Sequence, residues 1–336
     1  GGVVASGTAP TGPHVGLRWY NTTTGVTYQY TSDGASSFWL DITSGGIGTS
    51  ASGNVDVVGD IDPHKAINPA GGVGSVYYNR EKNRHFICAD ATSGANVWSG
   101  RFLGSGGTIT DYLSGGTYYK VHTFLGDGVF EVEENITVDC LIIAGGGGGG
   151  HSREGHGGGG GGAGGLRTSA GFSVAKGTYT ITVGGGGAGG QASTHPGSDG
   201  ENSTFSTLTS TGGGGGGAGG NSGANGAGRA GGSGGGAGSR DGAIPAGGNG
   251  NTPSTSPSQG NNGAAAGSAG EGKSGSGGGA GGAGQSSTNS SQTFAGGVGV
   301  NNAYRTGSNV MYAAGGATTS TTVGPANTGN GGGAGF

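Results

Sequence analysis

Six consecutive glycines, Gly145–Gly150, follow directly on the apolar run Cys140–Ala144. Tracts of the same kind recur at Gly157–Gly165, Gly184–Gly190 and Gly212–Gly220, each with one Ala, then across 223–238, at Gly277–Gly284 and at Gly331–Gly335. Such stretches have no side chains to bury. Glycine also loses more backbone freedom on ordering than any other residue, and ordering opposes folding by ~1–2 kcal/mol per residue. Any order must therefore come from the main chain itself. An α-helix is excluded, because Gly is ~1 kcal/mol per position less favourable than Ala. Collagen is excluded because Gly does not recur at every third residue. The remaining solution is an extended threefold spiral of polyproline-II type, with ~3.1 Å rise and no internal hydrogen bonds. Every N–H and C=O then points outward and needs a partner from a neighbouring segment. Glycine lets those neighbours approach closely enough, with Cα–H···O contacts adding roughly 0.5–1 kcal/mol each. At that rise the tract 157–165 spans ~28 Å. A flexible linker is the competing reading of so much glycine, but linkers rarely alternate with strand-like inserts such as Phe172–Val183, F-S-V-A-K-G-T-Y-T-I-T-V.

Composition sharpens the boundary. Of the 94 glycines in 336 residues, 24 lie in residues 1–140 and 70 in residues 141–336, so the second part is more than one-third glycine. The expected fold class is all-β and irregular: small N-terminal β modules followed by a glycine-rich block of packed polyglycine-II helices. The net charge is −4, with both signs scattered, which offers no clustered Lys/Arg face for nucleic acid. No apolar run approaches ~20 residues, so no membrane insertion is expected. The chain opens on Gly1-Gly2 without a signal peptide or a Met, which suggests a processed or truncated form. Cys88 and Cys140 are far apart; buried or free thiols and a single bridge are both open.

An internal repeat occupies the first hundred residues. Val15, Gly16, Tyr20, Asn21, Tyr28 and Tyr30 fall opposite Val73, Gly74, Tyr78, Asn79, Phe86 and Cys88 at one offset, and Trp39 matches Trp98 after one inserted residue. Each copy reads as a strand, a polar turn (Asn21–Gly25; Asn79–Asn83), a second strand and a final Trp-bearing strand. Residues 43–72 read as a connector. Trp19, Trp39 and Trp98 are expected as small-core anchors, with carbohydrate stacking as the other use. Residues 108–143 form a further β segment, with Gly115-Gly116 and Gly126-Asp127-Gly128 as hairpin turns. The run Cys140–Ala144 is expected to be buried on both faces. The domains are thus 1–53 and 54–107 (the two repeats), 108–144 (a β segment leading onward) and 145–336 (the glycine-rich block with projecting loops).

The run Thr108–Gly150, followed by G-G-G-G-A-G-G-L-R-T, F-S-V-A-K-G-T-Y-T-I-T-V-G-G-G-G-A-G-G and N-S-T-F-S-T-L-T-S-T-G-G-G-G-G-G-A-G-G, resembles the glycine-rich domains of bacteriophage tail fibres. It is also similar to the tip adhesins of T-even-like phages, whose core is a sandwich of polyglycine-II helices. The resemblance implies an extracellular virion component whose loops between tracts bind a host cell-surface receptor, a glycan or an outer-membrane protein. It also implies other tail or fibre proteins as partners and a homo-oligomer, a trimer. Such domains often finish with an apolar strand, whereas this chain stops at Gly335-Phe336. That reads as a truncated end, or as a strand supplied otherwise.

Several motifs invite an enzyme reading. Residues 267–274, G-S-A-G-E-G-K-S, match the phosphate-loop pattern by letter, yet their flanks provide neither a buried strand nor a helix. His151, Glu154 and His156 have the wrong spacing for a helical zinc site, and Asp60, Asp62 and His64 could at most hold a cation on a turn. No catalysis, cofactor or metal is expected. The loops 191–211, 239–263 and 285–312 carry the remaining chemistry, and His195, Arg240, Ile244, Phe294, Tyr304, Arg305 and Tyr312 are the candidate receptor-binding residues. Phe294, Tyr304 and Tyr312 could instead cover the apolar side of the glycine block. The expected function is a non-enzymatic tail-fibre or tail-tip protein that binds the host surface. The alternative is a subunit of a cellular extracellular filament or surface layer. An ice-binding protein fits less well, because the loops interrupt any flat repeated face.

Overall fold

The computed structural model describes residues 3–15, 17–23, 26–32, 37–41, 55–73, 75–79, 84–100, 104–115, 117–153, 155–191, 195–220, 225–270, 272–288, 293–318 and 324–334. Among these residues there is no helix, and the regular structure is all β in several small sheets. The chain divides into two compact units, Gly1–Phe102 and Leu103–Phe336.

In the first unit, β1 (Val3–Ser6), β2 (Arg18–Asn21), β3 (Val26–Ser32) and β4 (Ser37–Asp41) form one four-stranded sheet. A second comprises β5 (Val55–Gly59), β6 (Val76–Asn79), β7 (Arg84–Asp90) and β8 (Val97–Gly100). Each sheet has a parallel first pair and two antiparallel pairs after it. The repeat survives in the registers: Trp19 opposes Tyr28 as Tyr77 opposes Phe86, and Tyr30 opposes Trp39 as Cys88 opposes Trp98. The one-residue insertion before Trp98 is absorbed as a register shift between Cys88 and Asp90, the usual accommodation of an extra residue. Val55–Gly59 corrects the reading of residues 43–72 as a connector throughout, since it pairs with β6; residues 43–54 lie outside the described residues.

The aromatics pack within their own sheets. Trp19 stacks on Tyr28 at 5.0 Å and meets Trp39 edge-on at 5.5 Å, while Tyr77 meets Trp98 at 5.7 Å. Trp19 and Trp98 are buried, and the Trp19 indole N–H donates to the Ser6 carbonyl at 3.0 Å. They serve as core anchors, as a small sheet with little other apolar area requires.

The second unit begins with β9 (Gly104–Ser105), β10 (Thr108–Ser114), β11 (Thr117–Thr123), β12 (Gly128–Val132) and β13 (Ile136–Ile143). It continues with β14 (Leu166–Val174), β15 (Gly177–Thr182), β16 (Ser203–Phe205), β17 (Leu208–Ser210), β18 (Val300–Asn302) and β19 (Val310–Tyr312). Strands β17-β16-β15-β12-β9 form a five-stranded sheet, while β10–β11, β13–β14 and β18–β19 are separate pairs. Strands β10 and β11 do form the expected hairpin, with Ser114 opposite Thr117; of its two turn glycines, Gly116 lies outside the described residues. Gly126–Gly128 joins none: β12 leaves β11 and pairs with β15 and β9. The Asp127 carboxylate accepts the Val183 N–H at 2.8 Å and so ties this bend to the end of β15.

A core of Phe130, Val132, Cys140, Ile142, Val174, Ile181 and Phe205 joins the five-stranded sheet to β13–β14. On its other side, β13 offers Leu141 and Ile143 to a second cluster containing Ala163, Leu166, Tyr312 and Ala313. The apolar run before the first tract is therefore covered on both faces. Both thiols are free and buried, and burial, ahead of the nearby Asp139 charge, pushes Cys140 up to about 11.

His122 sits edge-on to Phe130 at 5.0 Å, with Nδ1 2.8 Å from the Gly106 carbonyl. Burial holds its imidazole below the ordinary 6.5, and the Lys120 charge acts the same way; the Gly106 bond and Asp111 oppose them. With the folded value depressed, the unfolded chain takes up the proton first as pH falls. The second unit is expected to lose stability as pH drops through about 6.5 towards the folded value, and His122→Gln should flatten that dependence in melts over this range.

The glycine tracts lie outside the strands. Segment 145–150 leaves β13, and the antiparallel segment 157–165 enters β14; the Gly147 N–H donates to the Gly162 carbonyl and the Gly150 N–H to the Gly159 carbonyl, both at 2.8 Å. The loop between them, 151–156, is thus remote from the β13–β14 pair. Segment 157–165 is completely buried. The N–H groups of Gly159, Gly162 and Gly165 donate to Gly217, Gly214 and Thr211. Those of Gly160 and Ala163 donate to Gly275 and Gly278, and those of Gly161 and Gly164 to Gly332 and Gly329. Its carbonyls rotate likewise: Gly159, Gly162 and Gly165 accept from Gly150, Gly147 and Ala144, Gly160 and Ala163 from Gly236 and Ser233, and Gly161 from Gly316. Six other segments therefore surround this one, and five of them are met again three residues later. A pleated ladder would repeat after two residues, and a helix would bond within itself. Where no carbonyl is at hand, sparse polar side chains replace it. Ser239 and Ser152 hydroxyls accept the Gly157 and Gly158 N–H groups, and Asn202 and Asp199 accept those of Gly212 and Gly215.

Candidate functional site

The loops at the end of the glycine block remote from β13–β14 are tied together by main-chain bonds. In 151–156, Arg153 and His156 exchange both N–H···O bonds, at 2.9 and 2.8 Å. The His151 carbonyl accepts the Gly219 N–H, and its N–H reaches the His195 carbonyl at 3.4 Å. Segment 233–239 runs parallel to 212–220, with Gly214, Gly217 and Gly220 donating to Ser233, Gly236 and Ser239, so it delivers Arg240 to the same end. There Arg240 bridges Gly220 and Ala243, and its carbonyl accepts the Gly270 N–H.

One side-chain contact links two of these loops. His156 Nε2 lies 3.0 Å from Asp241 Oδ1, with the imidazole buried and the carboxylate 58% exposed. Sequence spacing gives no signal for a pair 85 positions apart. Beside them Ile244 is 59% exposed, an apolar side chain without cover. His195 is exposed and Arg240 half-buried. Phe294 is half-buried and pairs with Thr318, whose hydroxyl accepts the Phe294 N–H at 2.9 Å and whose N–H donates to the Phe294 carbonyl at 3.0 Å.

The other three candidates lie elsewhere. Tyr304 and Arg305 occupy the β18–β19 turn, at the strand end of the block, and Arg305 is exposed. Burial, ahead of Asp139, Cys140 and Tyr119, pushes the Tyr304 hydroxyl up. Tyr112, stacked on Tyr119 at 5.2 Å, is raised in the same way by burial, then by Tyr119, Asp139 and Tyr304. Tyr312 is only 2% exposed and belongs to the cluster around Ala163 and Leu166. A ring so enclosed presents no surface to a second molecule; it covers the glycine block, the other use open to it from sequence. The seven candidates thus separate into four at the remote end, two at the strand end and one in the core.

The phosphate-loop letters at 267–274 do not build that site. The Gly267 and Gly270 N–H groups are engaged by the Lys273 and Arg240 carbonyls, no helix follows, and Glu271 lies outside the described residues. Glu154, of the His151–His156 loop, also lies outside them. Among the described residues no three His, Cys, Asp or Glu side chains converge as metal ligands, and Asp62 accepts a 2.8 Å bond from Asn79. A family model described as a glycine-rich domain matches residues 122–336. No curated protein and no solved structure matches the chain.

Proposed function

The chain belongs to the glycine-rich domain family, and from that premise we propose that its tracts are packed polyglycine-II helices forming the loop-presenting platform of a bacteriophage tail fibre or tail tip. The observation that carries this reading is the return of five of the six hydrogen-bonding neighbours after three residues in segment 157–165, which is the periodicity of a threefold extended helix. A platform held by main-chain bonds on all sides is stiff without a side-chain core. Its remote loops then act as recognition elements on a rigid scaffold, the usual division of labour between loops and frame. Arg240 and the exposed Ile244, with His195 and Phe294 at the same end, are the contacts offered to a host cell-surface glycan or outer-membrane protein. The protein acts without catalysis, outside the cell and in the virion. Its N-terminal sheets join it to other tail or fibre proteins as a symmetric homo-oligomer, a trimer.

The test is binding of the labelled protein to a panel of bacterial strains. Arg240→Ala combined with Ile244→Ala should lower binding to a responsive strain at least about tenfold, as loss of central anchors does. Arg305→Ala, at the opposite end, should leave binding intact, and neither variant should shift the melting midpoint. Binding to no strain, or binding insensitive to the remote loops, removes the receptor reading. Long helical polymers of the protein without capsids would favour the extracellular-filament alternative.

A further inference from the structure

Three segments of the glycine block meet as a triangle towards its remote end. The Gly236 N–H donates to the Gly160 carbonyl, that of Gly160 to Gly275 and that of Gly275 to Ala237. Further out, Gly157 is flanked by two serines. The Ser239 hydroxyl accepts its N–H at 2.8 Å, and the Ser274 hydroxyl oxygen lies 3.0 Å from the position a Cβ on Gly157 would take. The next residues outward from these serines are Arg240 and Lys273. Loop 267–273 folds onto the same point, its Gly267 N–H donating to the Lys273 carbonyl and its Gly270 N–H to the Arg240 carbonyl, both at 2.9 Å. Main-chain bonds therefore fix the bases of both cationic side chains beside one another.

Neither charge is neutralised. Elsewhere in this unit Arg229 pairs with Asp199 at 2.7 Å and Lys120 with Asp111 at 3.1 Å, but among the described residues no carboxylate meets Arg240 or Lys273. Asp241, the neighbour of Arg240 in sequence, is engaged by His156 instead. Glu271, in loop 267–273, lies outside the described residues. Arg240 is half-buried, and its Nε is fully enclosed without an acceptor among the described residues. The Ser274 hydroxyl is enclosed and unpartnered in the same way. A charged donor shut off from water and left unpaired is among the costlier features a fold can keep, and it calls for an acceptor.

The geometry points to an oxyanion site at Arg240 and Lys273, with the phosphate group of a phosphorylated surface sugar as its occupant. Two unneutralised cations match a phosphate monoester, which carries about −1.5 to −2 charge at pH 7, whereas a sugar carboxylate offers one. The guanidinium presents Nε and a terminal nitrogen as a planar fork that two phosphate oxygens engage together, and the lysine ammonium adds a point charge. This differs from a nucleotide phosphate loop, because the Gly267 and Gly270 N–H groups are already spent and the anion is held by side chains. Ile244, exposed on the same loop as Arg240, is placed to support the sugar ring. The inference rests on the host-surface reading for the source of the sugar, but not for the site itself.

Glucose 6-phosphate, glucuronate and glucose, titrated into the purified protein at low ionic strength, test this directly. Glucose 6-phosphate should bind at least about tenfold more tightly than glucuronate, and glucose not at all. Arg240→Ala and Lys273→Ala should each weaken the sugar phosphate at least about tenfold. Arg240→Lys keeps the charge but loses the fork, and should weaken it nearly as much. Lys176→Ala, an exposed lysine between β14 and β15, should bind like the parent, and all four variants should keep the parent's melting midpoint. No binding of glucose 6-phosphate overturns the inference, as does glucuronate binding equally well or an Arg240→Lys protein that binds like the parent. Cell binding separates the two readings. A protein that takes up glucose 6-phosphate but binds no strain keeps this site and loses the host-surface reading. Strain binding that depends on Arg240 and Ile244 but is not competed by glucose 6-phosphate keeps the host-surface reading and overturns the phosphate.

Discussion

Gly161→Ala is expected to destabilise the second unit severely, by about 4 kcal/mol or more, whereas Gly186→Ala leaves it as stable as before or slightly more so. A Cβ on Gly161 would lie within 3.0 Å of the Gly147 carbonyl atoms and the Gly148 oxygen. All are main chain, so no side chain can swing aside. Relief requires segment 145–150 to retreat from 157–165, which breaks the Gly147–Gly162 and Gly150–Gly159 bonds and disturbs the segments behind them. Overpacking in an ordinary core typically destabilises by about 1–3 kcal/mol because side chains re-adjust; main chain on every side cannot, so the loss here lies above that range. At Gly186 the nearest atom is 3.7 Å away, and Ala restricts the unfolded chain, a gain of about 0.4–1 kcal/mol where the backbone allows it. Denaturant melts of the two variants decide the matter. If both lose the same stability, close approach of main chains is not what holds the block.

The second large effect is expected at Phe205, which closes the core between the two strand layers. Its ring meets Phe130 at 6.0 Å and Phe172 and Tyr179 at 5.8 Å, all edge-on. Phe205→Ala removes the ring on which the other three converge and should lower stability by about 3–5 kcal/mol. The loss should appear in calorimetry and as faster amide exchange along β13, whose Cys140 and Ile142 share that core. Phe205→Leu, which keeps most of the volume, should retain most of the stability. A Phe205→Ala protein that melts like the parent would mean the glycine block alone sustains the unit.

These two variants mark the two ways the unit coheres, and they were not equally legible. The apolar run before Gly145 announces burial on two sides, and the aromatic repeat carries its offset straight into the strand registers, even to the extra residue before Trp98. Val55–Gly59 was harder to see, because three valines in a Gly- and Asp-rich stretch carry little strand signal of their own. The bend at 126–128 misled because glycine turns usually mark hairpins, but here the better partner for β12 lay beyond two tracts, in β15. Among the candidate site residues, exposure could be anticipated for Ile244 and Arg305 from their polar surroundings. Tyr312 could not be separated from them by sequence, since its burial depends on Ala163 and Leu166, far away in the chain.

The amino-acid sequence alone required that any order in the tracts come from main-chain bonds, because it left them nothing else to pack. It could not say which segment meets which. The carbonyls of Gly214, Gly275 and Gly332 are chemically alike, yet each accepts a different donor of segment 157–165 or of its immediate neighbourhood: Gly162, Gly160 and Gly161. Without side chains to label them, such partners are chosen by where the strands and the Ser, Asn and Asp side chains anchor the ends. Only the assembled tertiary structure brings those anchors together, and with them the shared end of Arg240 and Ile244 and the His156–Asp241 contact.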